Sequence, residues 1–475
     1  MPNPPHEHAV EPGPSTGAVL ARVPHALAGL LADSPGSRFL TRRMAVAVGL
    51  YLLVTASLCS YSVDNDGRVY LDFLRRLTGE SATGPSTHQW GSALVTLPLF
   101  LVARLLGVLG IHTMGHAPLE QVSMAATTAA ALVGAVYLGW KLLRRLDLPA
   151  GPGVLALTVV GTPLFYYSAL QGTYKHAIDA FFVTLEWFVL LLVLRRPSRR
   201  LLLVLGACLG LSITIRTANA ALVPGMLLPF LLRRNVRGAA TVLGTTAVVT
   251  VVLFAIPSVA GISGGQLALP QFATPIRLAA GTTNPGQSNF FWCRNYTYRL
   301  TFAQCLRNKL GVQPDPAAPA KMLFTLHRGL FLWTPLTALA TIGFLLLMRR
   351  RRDERHYLAG IGVAALCLLL VHMLWGDFWD NGFSFSQRFL TALFPFFLLG
   401  TAELVRRWRG VALAALSVCA LFSLVIALTF FVGYKGITAK DGVDRIVKLY
   451  TSGERTPQQL VRRIGVDVRG RWLGS

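Results

Sequence analysis

Asp64 and Asp66 stand one residue apart in Asp64-Asn65-Asp66-Gly67, just beyond the apolar stretch Met44 to Tyr61, in a chain with only 21 acidic residues. Carboxylates at that spacing point the same way on extended backbone and diverge on a helix. One of them beside a hydroxyl can take its proton as a general base. The pair can also offer oxygen ligands to a divalent metal. Asp-Asn-Asp-Gly is equally good chemistry for a turn, so the motif alone leaves both readings open.

A second set of polar residues is notable for its placement. Tyr174, Lys175, His176 and Asp179 stand at the start of an apolar stretch, where charge is costly and more often functional than in a soluble loop. Snorkelling of Lys175 is the plainer alternative. Arg216 ends one apolar run, Arg328 opens another and Arg388 opens a third. Guanidinium groups hold phosphate in bidentate geometry. Lys175, His176, Arg216, Arg328 and Arg388 are therefore the candidates for binding a phosphate, although any one alone could be a head-group contact.

Glu186 lies midway along its apolar stretch and is expected to face the protein interior. With His88 and Asp179 it completes the candidates for a substrate site. Cys293 and Cys305 fall in one long polar loop and can form a disulfide in an oxidising compartment. Cys59, Cys208, Cys367 and Cys419 read as small apolar residues in helices. His112, His116 and Glu120 are four apart but read as a loop coincidence, and Asn295-Tyr296-Thr297 matches a glycosylation acceptor.

The elements that position these residues are membrane helices. The 475 residues are 53% hydrophobic and 14% charged, with a mean hydropathy of +0.52. A span needs about 20 mainly apolar residues, and eleven segments qualify: Met44–Tyr61, Gln121–Trp140, Gly151–Ala169, Ala177–Leu194, Leu201–Thr217, Ala218–Leu232, Ala239–Pro257, Gly329–Met348, Tyr357–Trp375, Arg388–Val405 and Val411–Val432. The net charge of +24 sits mainly in basic loops between them, which argues for the positive-inside rule and against nucleic acid. Clusters follow the second, fourth, sixth, eighth and tenth segments, around Arg144, Arg195, Arg233, Arg349 and Arg406. With those five inside, Asp64, Asp66, His88, Lys175, His176, Asp179, Arg216, Arg328 and Arg388 gather outside.

Residues 90–110 are also apolar and long, but a further crossing there would put every later cluster on the wrong side. Arg104 would also cost about 2.5–3.5 kcal/mol at mid-bilayer. The segment is therefore expected as a juxtamembrane helix in the first outer loop. Gly67–Leu77 reads as an amphipathic helix with its basic side toward lipid phosphates. Residues 1–37 read as a disordered cytoplasmic tail, and 38–434 as the membrane domain, with outer loops 62–120 and 258–328. Residues 435–475 read as a basic extracytoplasmic tail in which Val443–Tyr450 and Leu460–Val466 can form short helices.

These residues together resemble the GT-C superfamily of polytopic glycosyltransferases, in the branch of protein O-mannosyltransferases and lipid A aminoarabinose transferases. The resemblance runs from Met44 to Val405. It rests on the acidic motif after the first span, His88-Gln89-Trp90-Gly91, the Tyr174-Lys175-His176-Ala177 stretch, Arg328 to Pro335 and Ser384 to Leu390. It implies an all-α polytopic membrane fold and a sugar donor on polyprenyl phosphate. It further implies inverting transfer to a lipid, glycan or protein acceptor, with Asp64 or Asp66 as the base. No cofactor is required by it, and a divalent metal on the two aspartates stays open. The implied location is a bacterial inner membrane, surrounded by membrane lipids, with the site on the periplasmic side. The family's Pro-Pro-Gly or His-Pro-Pro-Leu-Gly-Lys segment stands here as His88-Gln89-Trp90-Gly91, without a lysine nearby. Two alternatives remain: a polysaccharide polymerase or ligase using the 258–328 loop, with Arg277, Arg294, Arg299 and Arg307, or a transporter. Transporters place internal repeats and broken helices around the midplane; here no repeat is visible, and of the polar residues only Glu186 lies at mid-span.

Overall fold

Hydrocarbon offers backbone amides no water, so a spanning chain satisfies them locally in helices. The computed structural model describes residues 41–63, 66–80, 90–259, 316–372, 384–432 and 442–472. The chain divides into two compact units, Met1–Ala45 and Val46–Ser475. The second carries the helices α1 (Arg42–Leu58, which begins in the first unit), α2 (Asp66–Leu77), α3 (Gly91–Val108), α4 (Leu119–Arg145), α5 (Pro152–Val160), α6 (His176–Arg195), α7 (Arg199–Ile215), α8 (Val223–Leu232), α9 (Val236–Val259), α10 (Ala318–Phe324), α11 (Leu336–Arg350), α12 (Arg355–Val371), α13 (Phe394–Arg407), α14 (Arg409–Val432), α15 (Val443–Thr451) and α16 (Pro457–Trp472). A two-residue antiparallel hairpin, β1 (Thr113–Met114) with β2 (Ala117–Pro118), joins α3 to α4.

The chain is an integral membrane protein by the length and apolarity of these helices. Among the described residues six are long and apolar enough to cross: α3, α4, α6, α9, residues 388–407 and α14. A seventh is possible if α5 and Pro163–Leu170 form one broken span, bent by 78°. The eleven spans expected from sequence are therefore not matched by eleven helices of sufficient length. Apolar runs continue through backbone breaks that hydropathy does not register. Helices of 15–17 residues such as α7, α11 and α12 rise only about 22–26 Å, against a hydrocarbon core of about 30 Å. Irregular turns adjoin several helices: a π-turn at Tyr166–Leu170 after Pro163–Phe165, a 3₁₀ turn at Thr217–Leu222 after α7, and another at Arg388–Leu393 leading into α13.

Five basic clusters meet at one end of the bundle. Arg350 and Arg406 both form two-pronged pairs with the buried Glu403 carboxylate, at 2.7–3.1 Å. Arg351 donates to the Leu146 carbonyl at the end of α4, and Arg233 to the Leu194 carbonyl near the end of α6. Arg195 pairs with Glu354 at 2.6 Å. These cations complete the helix C-termini, where carbonyls lack partners and the dipole is negative. The same helices present His176, Asp179, Arg216, Arg328 and Arg388 at or near their opposite ends.

α2, α3 and the first part of α4 pack together around one hydrophobic cluster. Tyr70, Leu71, Phe73 and Leu74 of α2 pack with Trp90, Ala93 and Phe100 of the α3 segment and Met124 of α4. On α2 the apolar side is buried in protein, and Arg75 donates to Glu120 at 2.8 Å. α3 starts against the end of α7, where a Cβ on Gly91 would lie 2.6 Å from the Ile215 amide nitrogen. It then runs beside α4 toward that helix's N-terminus, where Arg104 pairs with Glu120 at 2.9 Å and with Glu80. These carboxylates offset the charge that makes Arg104 costly in the sequence. The expected C-terminal helices lie within α15 and α16, and they dock at the site end. The Val443 amide donates to the Leu326 carbonyl, Tyr450 meets Thr429 at 2.7 Å, and Leu460 packs beside Val432.

α11 crosses α13 closely, where a Cβ on Gly400 would collide with the Ala340 carbonyl and one on Gly343 with the Gly400 carbonyl. Gly400→Ala should lower stability by about 1–3 kcal/mol, as overpacking does. Gly410→Ala, whose new Cβ meets nothing within 4 Å, should leave it unchanged. Thermal unfolding of the two purified variants in detergent measures the contrast, and equal melting temperatures would refute the close crossing.

Candidate functional site

The 78° break between α5 and Pro163–Leu170 turns two tyrosines inward. Gly161 permits the break because a side chain there would strike Leu336, and Pro163 restarts the helix at its first turn. The following π-turn carries Tyr166 and Tyr167. The Tyr167 hydroxyl donates to the Phe385 carbonyl at 3.1 Å and accepts from the Phe385 amide at 2.9 Å. Tyr166 stacks on the Phe385 ring at 4.7 Å. Two segments 218 residues apart are thereby locked together.

Around that lock lies a cavity of about 450 Å³. Its aromatic walls are Tyr166, Tyr167, Tyr174, Phe385 and Phe430, and its polar groups are Gln171, Ser384, Arg68 and Arg388, with Val63 at the edge. Val63 and Arg68 bracket the acidic motif in sequence. Asp64 lies outside the described residues. Asp66 is the first residue of α2. Ser386, next to Phe385, holds a left-handed φ of 50°, a conformation that costs about 1–3 kcal/mol in a non-glycine residue and clusters at functional sites.

Behind the aromatic wall is a buried polar layer. His176 lies against Tyr167, with centroids 4.5 Å apart, and stacks near-parallel on Tyr174 at 6.1 Å. Its Nδ1 lies 3.5 Å from the Thr391 hydroxyl, and its buried Nε2 has no hydrogen-bond partner among the described residues. Arg216 donates to Asp179 Oδ2 at 3.1 Å, and Asn219 donates to Asp179 Oδ1 at 2.6 Å and to the Ser212 carbonyl at 3.2 Å. The Arg216 guanidinium sits 4.7 Å from the centre of the Phe389 ring, the Arg388 guanidinium 5.2 Å from it, and His372 stacks on the same ring. Lys175 is held over Tyr70 of α2 at 5.3 Å.

The residues expected from sequence therefore divide. Arg388 lines the cavity. His176, Lys175, Asp179 and Arg216 form the layer around it, and the Asp179 carboxylate is spent on Arg216 and Asn219. Arg328 is fully buried against Trp333 and Phe430 and donates to the His327 carbonyl. It supports the wall from behind and is not a cavity-lining residue. Glu186 is buried two turns from Asp179 on α6, facing Ser212 and Cys208 of α7 and away from the cavity. His88, Cys293 and Cys305 lie outside the described residues. Sequence reasoning missed Arg68, Gln171, Tyr166, Tyr167, Phe430 and Asn219. Only Arg68, two residues past the acidic pair, carried a local signal.

No family model and no curated protein matches the chain. Among solved structures it is similar to the archaeal oligosaccharyltransferase AglB from Archaeoglobus fulgidus, in complex with an inhibitory peptide and a dolichol-phosphate. The identity is 12%, the TM-score 0.49, and the match covers 89% of this chain and 59% of that one. The chain thus spans less than two thirds of that protein's length, and the likeness is too weak to assign fold or function.

The Asp179–Arg216 pair yields a stability prediction. Removing one partner of a buried pair strands the other charge and costs about 3–5 kcal/mol, whereas an apolar replacement of both is often neutral. Asp179→Leu should therefore be strongly destabilising, and Asp179→Leu combined with Arg216→Met should recover most of the loss. A double-mutant cycle on thermal unfolding tests this; additive losses would show that the two side chains are not coupled.

Proposed function

We propose that this protein is a membrane glycosyltransferase that moves a sugar from a polyprenyl-phosphate carrier to an acceptor hydroxyl at the extracytoplasmic face. The observation that supports the reading is that Arg68 and Arg388 line one aromatic cavity together with Val63, so that its lining comes from both sides of the acidic motif in sequence. Two guanidiniums suit a phosphate, aromatic walls suit the apolar faces of a sugar or an isoprenoid, and a neighbouring carboxylate suits base catalysis. The site end faces outward because the five basic clusters occupy the other end.

The reaction is a single inverting displacement. The carboxylate of Asp64 or Asp66 accepts the proton of the acceptor hydroxyl as its oxygen bonds to the anomeric carbon. The bond from that carbon to the phosphate oxygen breaks through an oxocarbenium-like transition state. Charge on the departing polyprenyl phosphate is met by Arg388 at the cavity wall and by Arg68 at its exposed side. Lys175, His176 and Arg216 stand behind them. A divalent metal held by Asp64 and Asp66 would polarise the same phosphate.

Incubation of the purified protein with a panel of polyprenyl-phosphate sugars, with and without chelator, should release free polyprenyl phosphate. Exchanging both Asp64→Asn and Asp66→Asn should abolish release without affecting membrane insertion. Arg388→Ala should lower kcat/KM for the donor by about tenfold or more, the loss of a charge-assisted phosphate contact. Full activity in the double aspartate variant would overturn the mechanism. Labelling of a cysteine at position 64 from the cytosolic side alone would overturn the sidedness.

A further inference from the structure

Gln171 ends the π-turn and stands between two residues of the cavity wall. Its backbone amide donates to the Tyr166 carbonyl at 2.9 Å, and its own carbonyl accepts from the Tyr174 amide at 3.3 Å. The side chain lines the cavity too, and its Oε1 accepts from the Tyr166 hydroxyl at 3.4 Å. Tyr166 is in turn packed against Tyr167, Phe385 and Phe430, with centroids 5.0, 4.7 and 5.7 Å away. The carboxamide is thus held at its oxygen by a confined ring, which leaves the two Nε2 hydrogens for a group inside the cavity.

The other polar side chains of the lining have different chemistry. Arg68 and Arg388 are cations. The Ser384 hydroxyl donates to the Ser386 carbonyl at 3.4 Å, and the Tyr167 hydroxyl is engaged twice by Phe385. Gln171 brings the one carboxamide to the described lining. In pockets with mainly aromatic walls, a few placed polar groups set orientation and specificity.

We propose that Gln171 is a specificity-determining residue that hydrogen-bonds one hydroxyl of the transferred sugar, a proposal that rests on the glycosyl-transfer reading above. The two guanidiniums meet the phosphate, which every polyprenyl-phosphate sugar shares, so they do not tell one sugar from another. A sugar ring presents apolar C–H faces, which suit the aromatic wall, and hydroxyls, which both donate and accept. A site built to hydrogen-bond a hydroxyl rejects a substrate without it, because its own polar group is then left unpaired. Gln171 therefore selects the sugar whose hydroxyl reaches it.

The test uses the full chain in detergent, the best donor among polyprenyl-phosphate glucose, mannose, galactose and arabinose, and the monodeoxy analogues of that donor. In the native protein, loss of one particular hydroxyl should lower kcat/KM by about tenfold. Gln171→Leu should lower kcat/KM for the parent donor by about the same factor and erase the penalty at that one position, leaving the other deoxy penalties as they were. Gln171→Met, unbranched and of similar reach, should do the same, so that a folding defect in one variant does not decide the outcome. Free polyprenyl phosphate, which carries no sugar, should inhibit the native protein and both variants with constants within about threefold. Retention of every deoxy penalty in the variants overturns the proposal. A uniform loss of activity with weakened inhibition by polyprenyl phosphate also overturns it, since a purely structural role then accounts for the loss. If the native protein releases polyprenyl phosphate from none of the four donors, the glycosyl-transfer reading fails first and takes this proposal with it.

Discussion

The Asp179 carboxyl group is buried in the interior of a membrane bundle, and the site end is organised around satisfying it. Isolated, such a carboxylate would be driven to neutrality or out of the protein. Here both oxygens are engaged, one by Arg216 and one by Asn219. The cost of burying Arg216 is met by the same pair and by the Phe389 ring. Through that ring the pair reaches Arg388 and the loop that carries the cavity wall. α6, α7, the turn after α7 and the start of the 388–407 helix are thus joined by one ionic contact and one aromatic face.

The two ends of the bundle solve the helix-terminus problem differently. At the basic end, arginines cap the last carbonyls and converge on Glu403, while regular helices pack closely through Gly343 and Gly400. At the other end, the helices stop early and their final turns become π or 3₁₀. Irregular backbone is tolerated at membrane depth where it is buried in protein or lines a cavity. Both conditions hold at Tyr166–Leu170 and Arg388–Leu393. The regular end supplies rigidity, and the irregular end supplies side chains aimed where a regular helix could not aim them.

How much of this was legible in the sequence depended on whether the signal was local. The basic clusters were legible because charge between apolar runs has one inexpensive explanation, and the structure brings all five together. Arg388 was legible as a cation at an unusual place. Arg328 looked identical in sequence, yet it packs on Trp333, five residues on, and on Phe430, about 100 residues away, and only the second partner leaves no local trace. Tyr166, Tyr167 and Phe430 read as ordinary apolar content. Only the bend at Gly161 and the lock on Phe385 turn them into a wall. The eleven expected spans lack eleven matching long helices among the described residues for a related reason: hydropathy measures composition, while Gly161 and the turn after Arg216 interrupt backbone geometry without lowering apolarity. Arg104 is paired with Glu80 and Glu120, partners from different elements that the local sequence does not reveal.

The cavity is consequently a long-range object. Its wall residues come from the segments around 63–68, 166–174, 384–388 and 430, and the Tyr167–Phe385 lock closes a loop of more than 200 residues. Contacts of that separation form after local helices and neighbouring helix pairs, because the entropy of closing the loop precedes the stabilisation it brings. The C-terminal helices belong to the same late assembly. The Leu326 carbonyl accepts from both the Trp333 indole and the Val443 amide, and Trp333 in turn packs on Phe385 and Phe430. A chain lacking residues beyond 441 could therefore form the basic end intact while leaving the wall behind the cavity unsupported. The wall behind the cavity thus draws on contacts from α15 and α16.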